Sequence, residues 1–295
     1  MLKPCCYLCN KKQSILLYKI NDYKIVKCSH CGFVFAFPKP TNIFLSKFYT
    51  KFKANIFEKN QIAVFDSIHS FKIIDKYKGE RLKLLDIGCG NGVFIKEAVY
   101  HNWLPVGIDT SEILVNYIKE NTNIEVHKIN INNYKTADKY DLITMNQVIE
   151  HFTNPTHVIN RCKQLLNDSG LLYVATPNID SYVSKIRKQE FDYLMPPEHL
   201  SYFNKTTLTN LLEKNGFKVL YIGSWSYPVD LAGLIKYILG KRKNINSHVT
   251  TPIVPRNKVK LIKYYFFDRF ICVIFYRLLN FNYGGTNLEI LAQKI

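Results

Sequence analysis

From about residue 81 onward, apolar positions alternate between short runs and periodic stretches. Lys83–Ile87, Leu104–Ile108, Ile124–Ile129, Tyr140–Met145, Leu171–Ala175 and Phe217–Gly223 have the length and composition of strands. Between them, Val93–Tyr100, Ser111–Glu120, Pro155–Leu166 and Thr206–Lys214 place apolar residues three and four apart, which lets a helix bury one face. Ser111 is placed to cap the second of these helices, Gly170 lies shortly beyond the third, and Gly216 marks the end of the fourth. Asn287–Ala292 reads as a last strand. This alternation predicts a mainly parallel sheet with helices on both faces.

Two stretches depart from that rhythm. Residues 1–40 carry short β-like runs at Ile15–Tyr18, Lys24–Val26 and Phe33–Phe37, and end at Pro38-Lys39-Pro40, a boundary signal. Residues 226–284 form an aromatic, basic insertion before the last strand, with Lys258, Lys260, Lys263, Arg269 and Arg277 over about half of a helical wheel. It reads as a helical lid, or as a surface that lies on an anionic membrane. Residues 41–79 read as a helical linker or lid, with Phe44, Phe48, Phe52 and Ile56, then Ile62, Phe65 and Ile68, at helical spacing. The organisation expected is thus a unit at 1–40, a helical segment at 41–79, and an α/β domain at 80–295.

Composition changes the picture little. The 295 residues are 47% hydrophobic, ample for a core. Lys and Arg number 40 against 23 Asp and Glu, a formal charge of +17. That favours anionic partners such as nucleic acid, acidic lipid or a phosphorylated metabolite, although the lysines are scattered rather than gathered in a patch. The N-terminus lacks the apolar core of a signal peptide, and no uncharged apolar run reaches membrane-spanning length. A cytoplasmic protein is expected, with peripheral contact at the inner membrane face open through the insertion. Its cysteines are then reduced, buried or bound to metal.

Leu84-Leu85-Asp86-Ile87-Gly88-Cys89-Gly90-Asn91-Gly92 stands where a strand hands over to a helix. Glycines there let the backbone turn sharply, and the helix N-terminus offers free N–H groups to a ligand. A dinucleotide loop has the pattern G-x-G-x-x-G, but the sixth position here is Val93, and the spacing is G-x-G-x-G. Asp109 ends the next strand and can accept bonds from ribose hydroxyls.

Leu85 to Gly92, with Asp109, resembles the first two motifs of class I S-adenosylmethionine-dependent methyltransferases. Tyr140-Asp141-Leu142-Ile143, Val148-Ile149-Glu150-His151-Phe152, Leu165 to Leu172 and Glu198-His199-Leu200-Ser201-Tyr202-Phe203 resemble later segments of that family in order. The resemblance implies a Rossmann-like seven-stranded sheet with an antiparallel last strand. It implies S-adenosylmethionine as cofactor, with Asp86, Gly88, Gly90, Gly92, Asp109, Asn130 and Asn146 as its contacts. Asn130 stands where the family often has an acid for the adenine amino group; an amide oxygen accepts the same bond.

Cys6-x2-Cys9 and Cys28-x2-Cys31 have the spacing of a structural zinc ribbon, a closed site of four thiolates. About forty residues have too little core to fold without such a staple. Cys5 and His30 are spare candidates, while Cys89, Cys162 and Cys272 read as small buried residues. A ribbon ahead of this domain resembles bacterial enzymes that methylate nucleotide-linked sugars, which implies a sugar, nucleotide-sugar or glycan-precursor acceptor. Those C-methylating enzymes have a large further domain that does not follow here.

A hydroxyl acceptor wants a base, and histidine is the first choice. His199, beside Glu198, and then His151, beside Glu150, lie on loops at the carboxyl end of the strands, where ligands bind in such sheets. Gln147-x-x-Glu150-His151 keeps only part of the E-x-x-E-H metal segment of quinone-pathway methyltransferases, and no catalytic metal is expected. Tyr49 is a candidate to line the acceptor pocket. An RNA acceptor is the alternative suggested by the charge and the ribbon, although the Asn/Asp-Pro-Pro-aromatic segment of base-nitrogen methyltransferases is absent after the fourth strand. A non-catalytic binding domain is the other alternative; the intact glycine loop and Asp109 count against it.

Overall fold

The computed structural model describes residues 4–41, 43–45, 48, 61–77, 79, 83–240 and 280–295. Residues 49–60, with Tyr49, Phe52 and Ile56, lie outside the described residues. So do 241–279, with the five basic residues of the insertion and Cys272.

Seven strands form one sheet: β4 (Lys83–Ile87), β5 (Leu104–Asp109), β6 (Glu125–Lys128), β7 (Tyr140–Asn146), β8 (Leu166–Pro177), β10 (Phe217–Trp225) and β11 (Asn287–Lys294). Their order is β10-β11-β8-β7-β4-β5-β6. The central pairs run parallel, and β11 runs antiparallel to both β8 and β10. This is the Rossmann-like sheet with an antiparallel last strand that the apolar pattern and the family resemblance imply.

Both faces are covered, so successive residues of a strand serve different cores. Leu84, Leu142, Leu171, Tyr173 and Leu291 pack on one face with Phe71, Ile74, Phe94 and Ala98. Their neighbours Leu85, Ile143, Leu172, Val174 and Ile290 pack on the other with Val158, Ile159, Leu208 and Leu211. The first group of partners comes from α1 (Gln61–Ile74) and α2 (Val93–Tyr100), the second from α4 (Pro155–Leu165) and α6 (Lys205–Lys214). α3 (Glu112–Asn121) follows β5, and Ser111 caps it by accepting from the Leu114 N–H.

A second sheet has the order β1-β2-β3-β9, from β1 (Ser14–Ile20), β2 (Tyr23–Cys28), β3 (Val34–Phe37) and β9 (Ser201–Tyr202). Its first three strands come from the cysteine-rich N-terminus, but the fourth comes from the α/β domain. Cys6, Val26, Cys28, Phe33 and Phe35 belong to the same apolar core as Leu85, Ile143 and Phe203.

Two elements escaped the apolar pattern, β9, only two residues long, and α5 (Tyr182–Arg187), while α7 (Pro228–Ile238) opens the insertion that reads as helical. β8 also starts earlier than expected, at Leu166, and Gly170 falls inside it. Polar Asn167, Asp168 and Ser169 mask that beginning. Among the described residues no helix is long and apolar enough to cross a membrane.

Candidate functional site

The loop from β4 to α2 is built on three left-handed glycines, Gly88 at φ 73°, Gly90 at φ 55° and Gly92 at φ 81°. The Gly88 and Cys89 amides donate to the Ile108 carbonyl, at 2.8 and 3.1 Å, which ties the loop to the end of β5. A Cβ at Gly88 would fall 2.6 Å from Cγ2 of Val148, whereas one at Gly90 would meet almost nothing. Gly88 therefore serves packing, and Gly90 leaves open the approach that a cofactor uses.

Asp109 closes this end. Its two oxygens accept from the Gly90 amide at 3.0 Å and the Ser111 amide at 2.8 Å, and each retains capacity for a further donor. Burial raises its pKa, partly offset by those amides. Asp86 is 2% exposed and accepts the Thr144 hydroxyl at 2.7 Å across to β7. Burial, with Asp109 nearby, pushes it up to about 7. It supports the start of the loop. Asn130 caps the turn after β6 through an Oδ1 bond from the Asn132 amide at 3.0 Å. Its oxygen has one lone pair left for another donor. The Nδ2 of Asn146, at the carboxyl end of β7, is buried with no partner among the described residues, a donor awaiting an acceptor. An open glycine, a two-oxygen acceptor and an orphaned amide donor fit a ligand with ribose hydroxyls and acceptor atoms.

The loops that carry His151 and His199 are brought together from separate segments. Gln147 holds a left-handed φ of 55°, rare for a long side chain and often found at functional sites. Its Nε2 donates to Asn287 Oδ1 at 3.0 Å. His199 is buried, and its Nδ1 lies 2.9 Å from the Tyr193 carbonyl. A carbonyl only accepts, so Nδ1 carries the hydrogen and Nε2 keeps its lone pair. Burial, with His151 nearby, pushes the pKa of His199 down to about 3. His151 differs: Nδ1 faces the Glu198 carbonyl at 2.8 Å and Nε2 the Gln147 carbonyl at 3.2 Å. Neither nitrogen is turned toward an acceptor molecule.

Glu150, His151 and His199 come together, with one donor atom of each within 4.8 Å of the others. The sequence paired each histidine only with its neighbour in the chain. The convergence of Glu150 with His199 had no sequence signal, because 48 intervening residues separate them. Glu150 is buried, accepts Thr176 Oγ1 at 2.9 Å through Oε2, and has no partner for Oε1 among the described residues. Burial raises its pKa. Three such groups are of cation-binding type, but both His151 nitrogens already face carbonyls.

Cys6, Cys9, Cys28 and Cys31 converge, with their sulfurs within 4.8 Å of one another. Cys6 lies 3.5 Å from Cys31 and Cys9 lies 3.5 Å from Cys28, sulfur to sulfur. Burial opposes ionisation of Cys28, but the Cys31 and His30 amides and the neighbouring thiols outweigh it and lower its pKa. Cys5 and His30 are exposed and stand outside this group.

A family model described as a methyltransferase domain matches residues 56–222, more than half of the chain. The chain belongs to this methyltransferase family. The ubiquinone biosynthesis O-methyltransferase of Coxiella burnetii (strain Dugway 5J108-111) is 27% identical over 158 residues, covering 49% of this chain and 67% of that protein. The protein of the same name from Glaesserella parasuis serovar 5 is 29% identical over 136 residues, 42% of this chain and 58% of that one. Among solved structures, a SAM dependent methyltransferase from Archaeoglobus fulgidus superposes with a TM-score of 0.52 at 19% identity, over 86% of this chain and 100% of that one. Coclaurine N-methyltransferase bound to N-methylheliamine and SAH gives 0.51 at 17% identity, over 82% and 76%. The chain is an S-adenosylmethionine-dependent methyltransferase.

Proposed function

We propose that this enzyme methylates a hydroxyl of a small polar acceptor: a sugar, a nucleotide-linked sugar or a glycan precursor. The observation that carries the reading is the polar carboxyl edge of the sheet beside the cofactor loop. Asn146 ends β7 with an unpartnered Nδ2 and half-buried Gln147 turns beside it, amides suited to a polyol. His199 adds a neutral Nε2 lone pair. Asp109 would hold the cofactor ribose, on the loop shaped by Asp86, Gly88, Gly90 and Gly92; Asn130 would take the adenine amino group, and Asn146 would donate to an acceptor atom of the cofactor. The bound sulfonium supplies an electrophilic methyl group and a neutral leaving group. His199 then accepts the hydroxyl proton at Nε2, and the Tyr193 carbonyl steadies the ring from the other side. Glu198 belongs to the same acceptor loop, and His151 orients it through its carbonyl.

The four cysteines hold one structural zinc in residues 1–40. Elemental analysis of purified protein is expected to give one zinc per chain. A Cys9→Ser/Cys31→Ser double variant that keeps its zinc would remove that assignment. For the acceptor, a panel of nucleotide sugars, polyphenols and bulk RNA is incubated with methyl-labelled S-adenosylmethionine. Label in a nucleotide sugar is the expected result. Label in a polyphenol ring hydroxyl instead would overturn the sugar reading. Label in RNA would overturn the small-molecule reading. Flotation with anionic vesicles at low salt tests the insertion as a membrane surface rather than a lid.

A further inference from the structure

The cysteine unit and the acceptor loop share a sheet. β3 pairs with β9 through Val34–Tyr202 and Phe35–Ser201, and the Ala36 amide donates to the Leu200 carbonyl at 2.9 Å. The Tyr7 hydroxyl, two residues before Cys9, donates to the Ala36 carbonyl at 2.6 Å. The rings of Phe33 and Phe203 lie 5.1 Å apart, and Cys6 and Cys28 are buried in the core they share. β9 follows His199 by one residue.

The same short segment is tied on its other side to the candidate site. The Leu200 amide donates to the Glu150 carbonyl at 2.9 Å. The Ser201 hydroxyl donates to the Phe152 carbonyl at 2.7 Å, and the Tyr202 hydroxyl to the His199 carbonyl at 2.7 Å. A two-residue strand contributes almost no stability alone. β3 gives it a second anchor, and β3 lies in the unit that the four cysteines close.

We propose that the four-cysteine unit is a positioning element of the acceptor site: by pairing β3 with β9 it holds the loop of Glu198 and His199 against Glu150 and His151. This rests on the reading of the cysteines as a zinc site and of that loop as the acceptor side. Tyr202 is the positioning residue that joins the sheet to His199. The backbone hydrogen bonds of the cofactor loop run to the end of β5 and not to β9.

The test uses the full chain with its zinc, and again after a chelator has removed it. Hydrogen exchange by mass spectrometry reads local opening, and amides that lose their partner exchange faster while the rest of the fold stays closed. Without zinc, the Leu200 and Ala36 amides are expected to exchange at least about tenfold faster, with Gly88 and Cys89 within about twofold. Continued protection of Leu200 after the metal leaves would overturn the proposal. Should metal removal unfold the whole chain, Tyr202→Phe decides. It keeps the ring and the zinc but loses the hydroxyl on the His199 carbonyl. In spectra of nitrogen-labelled histidine, the His199 ring signals are expected to move and those of half-buried His127 on β6 to stay; unmoved His199 signals overturn the clamp. Purified protein without zinc would sink the zinc reading alone, and the same Tyr202→Phe measurement would then judge the coupling by itself.

Discussion

The two halves of the proposed site are built on opposite plans. The proposed cofactor end is local: Asp86 and Asp109 lie on two adjacent strands, β4 and β5, and the loop from Gly88 to Gly92 is bonded to the end of β5. The acceptor end is long-range: Gln147 to His151, Tyr193 to Tyr202, Asn287 and the β3 strand of the cysteine unit meet from four parts of the chain. A local site is fixed by backbone conformation and survives change elsewhere. A long-range site is fixed by packing and is exposed to loss of any one partner. The difference predicts that variants at the cofactor end act on binding, and that those at the acceptor end act on turnover.

The largest effect is expected at His199. Loss of a general base generally lowers the rate about a hundred- to ten-thousandfold. A base whose pKa is about 3 is weak, so His199→Ala is expected near the lower end of that range. Affinity for S-adenosylmethionine by calorimetry should stay within about twofold, because no cofactor contact is removed. The sign of the pH dependence follows from the depressed pKa. His199 is neutral at every pH above about 3, so its protonation produces no fall in rate between pH 5 and 7. His151→Ala is the comparison, expected to lose less because its nitrogens are spent on two carbonyls. If His151→Ala were dead and His199→Ala active, the roles would be exchanged.

A smaller effect is expected at Asp109, in binding alone. Each hydrogen bond to a charged acceptor is worth about 1.5–3 kcal/mol, so Asp109→Ala should weaken S-adenosylmethionine at least about tenfold. The structure sharpens this, because Asp109 also accepts the Gly90 and Ser111 amides. Asp109→Asn keeps one acceptor oxygen, so it retains one of those amide bonds and turns an NH2 toward the other, and an intermediate loss of affinity is expected. Alanine and asparagine variants that both bind like wild type would remove Asp109 from the cofactor site.

The same contrast explains what the sequence discloses. The sheet, six of its strands within a few residues, and the glycine loop are legible because they are written in local period and spacing. The four cysteines are legible because their pairs carry metal-knuckle spacing. The acceptor end is not, because its geometry depends on elements without a pattern. β9 is two residues long, the left-handed turn at Gln147 uses a residue with no preference for it, and Glu150 meets His199 only through folding. Sequence reading named His199, Glu198 and His151 from their place after strands. It had no means of finding that Tyr193 fixes the tautomer of His199.

The smallest effect, and the most specific to the cofactor end, is a pH dependence of stability at Asp86. Its carboxyl moves from 3.8 in a free chain to about 7 when folded, chiefly through burial. Between about pH 4 and 7 the folded state therefore binds more protons at this site than the unfolded state, and its contribution to stability falls as pH rises. His199 works the other way. Its folded pKa lies below its ordinary 6.5, so stability from that group rises with pH up to about 6.5. The two slopes partly cancel in the wild type, and a single melting curve will not separate them. Asp86→Asn removes one slope and keeps an oxygen to accept the Thr144 hydroxyl. Calorimetric melting of both proteins without cofactor, at pH 5 and at pH 8, isolates it. The wild type is expected to lose ground to the variant at the higher pH, by a Tm difference on the order of a few degrees. A difference that stays constant across that range would mean Asp86 is ionised throughout, with its charge compensated inside the loop.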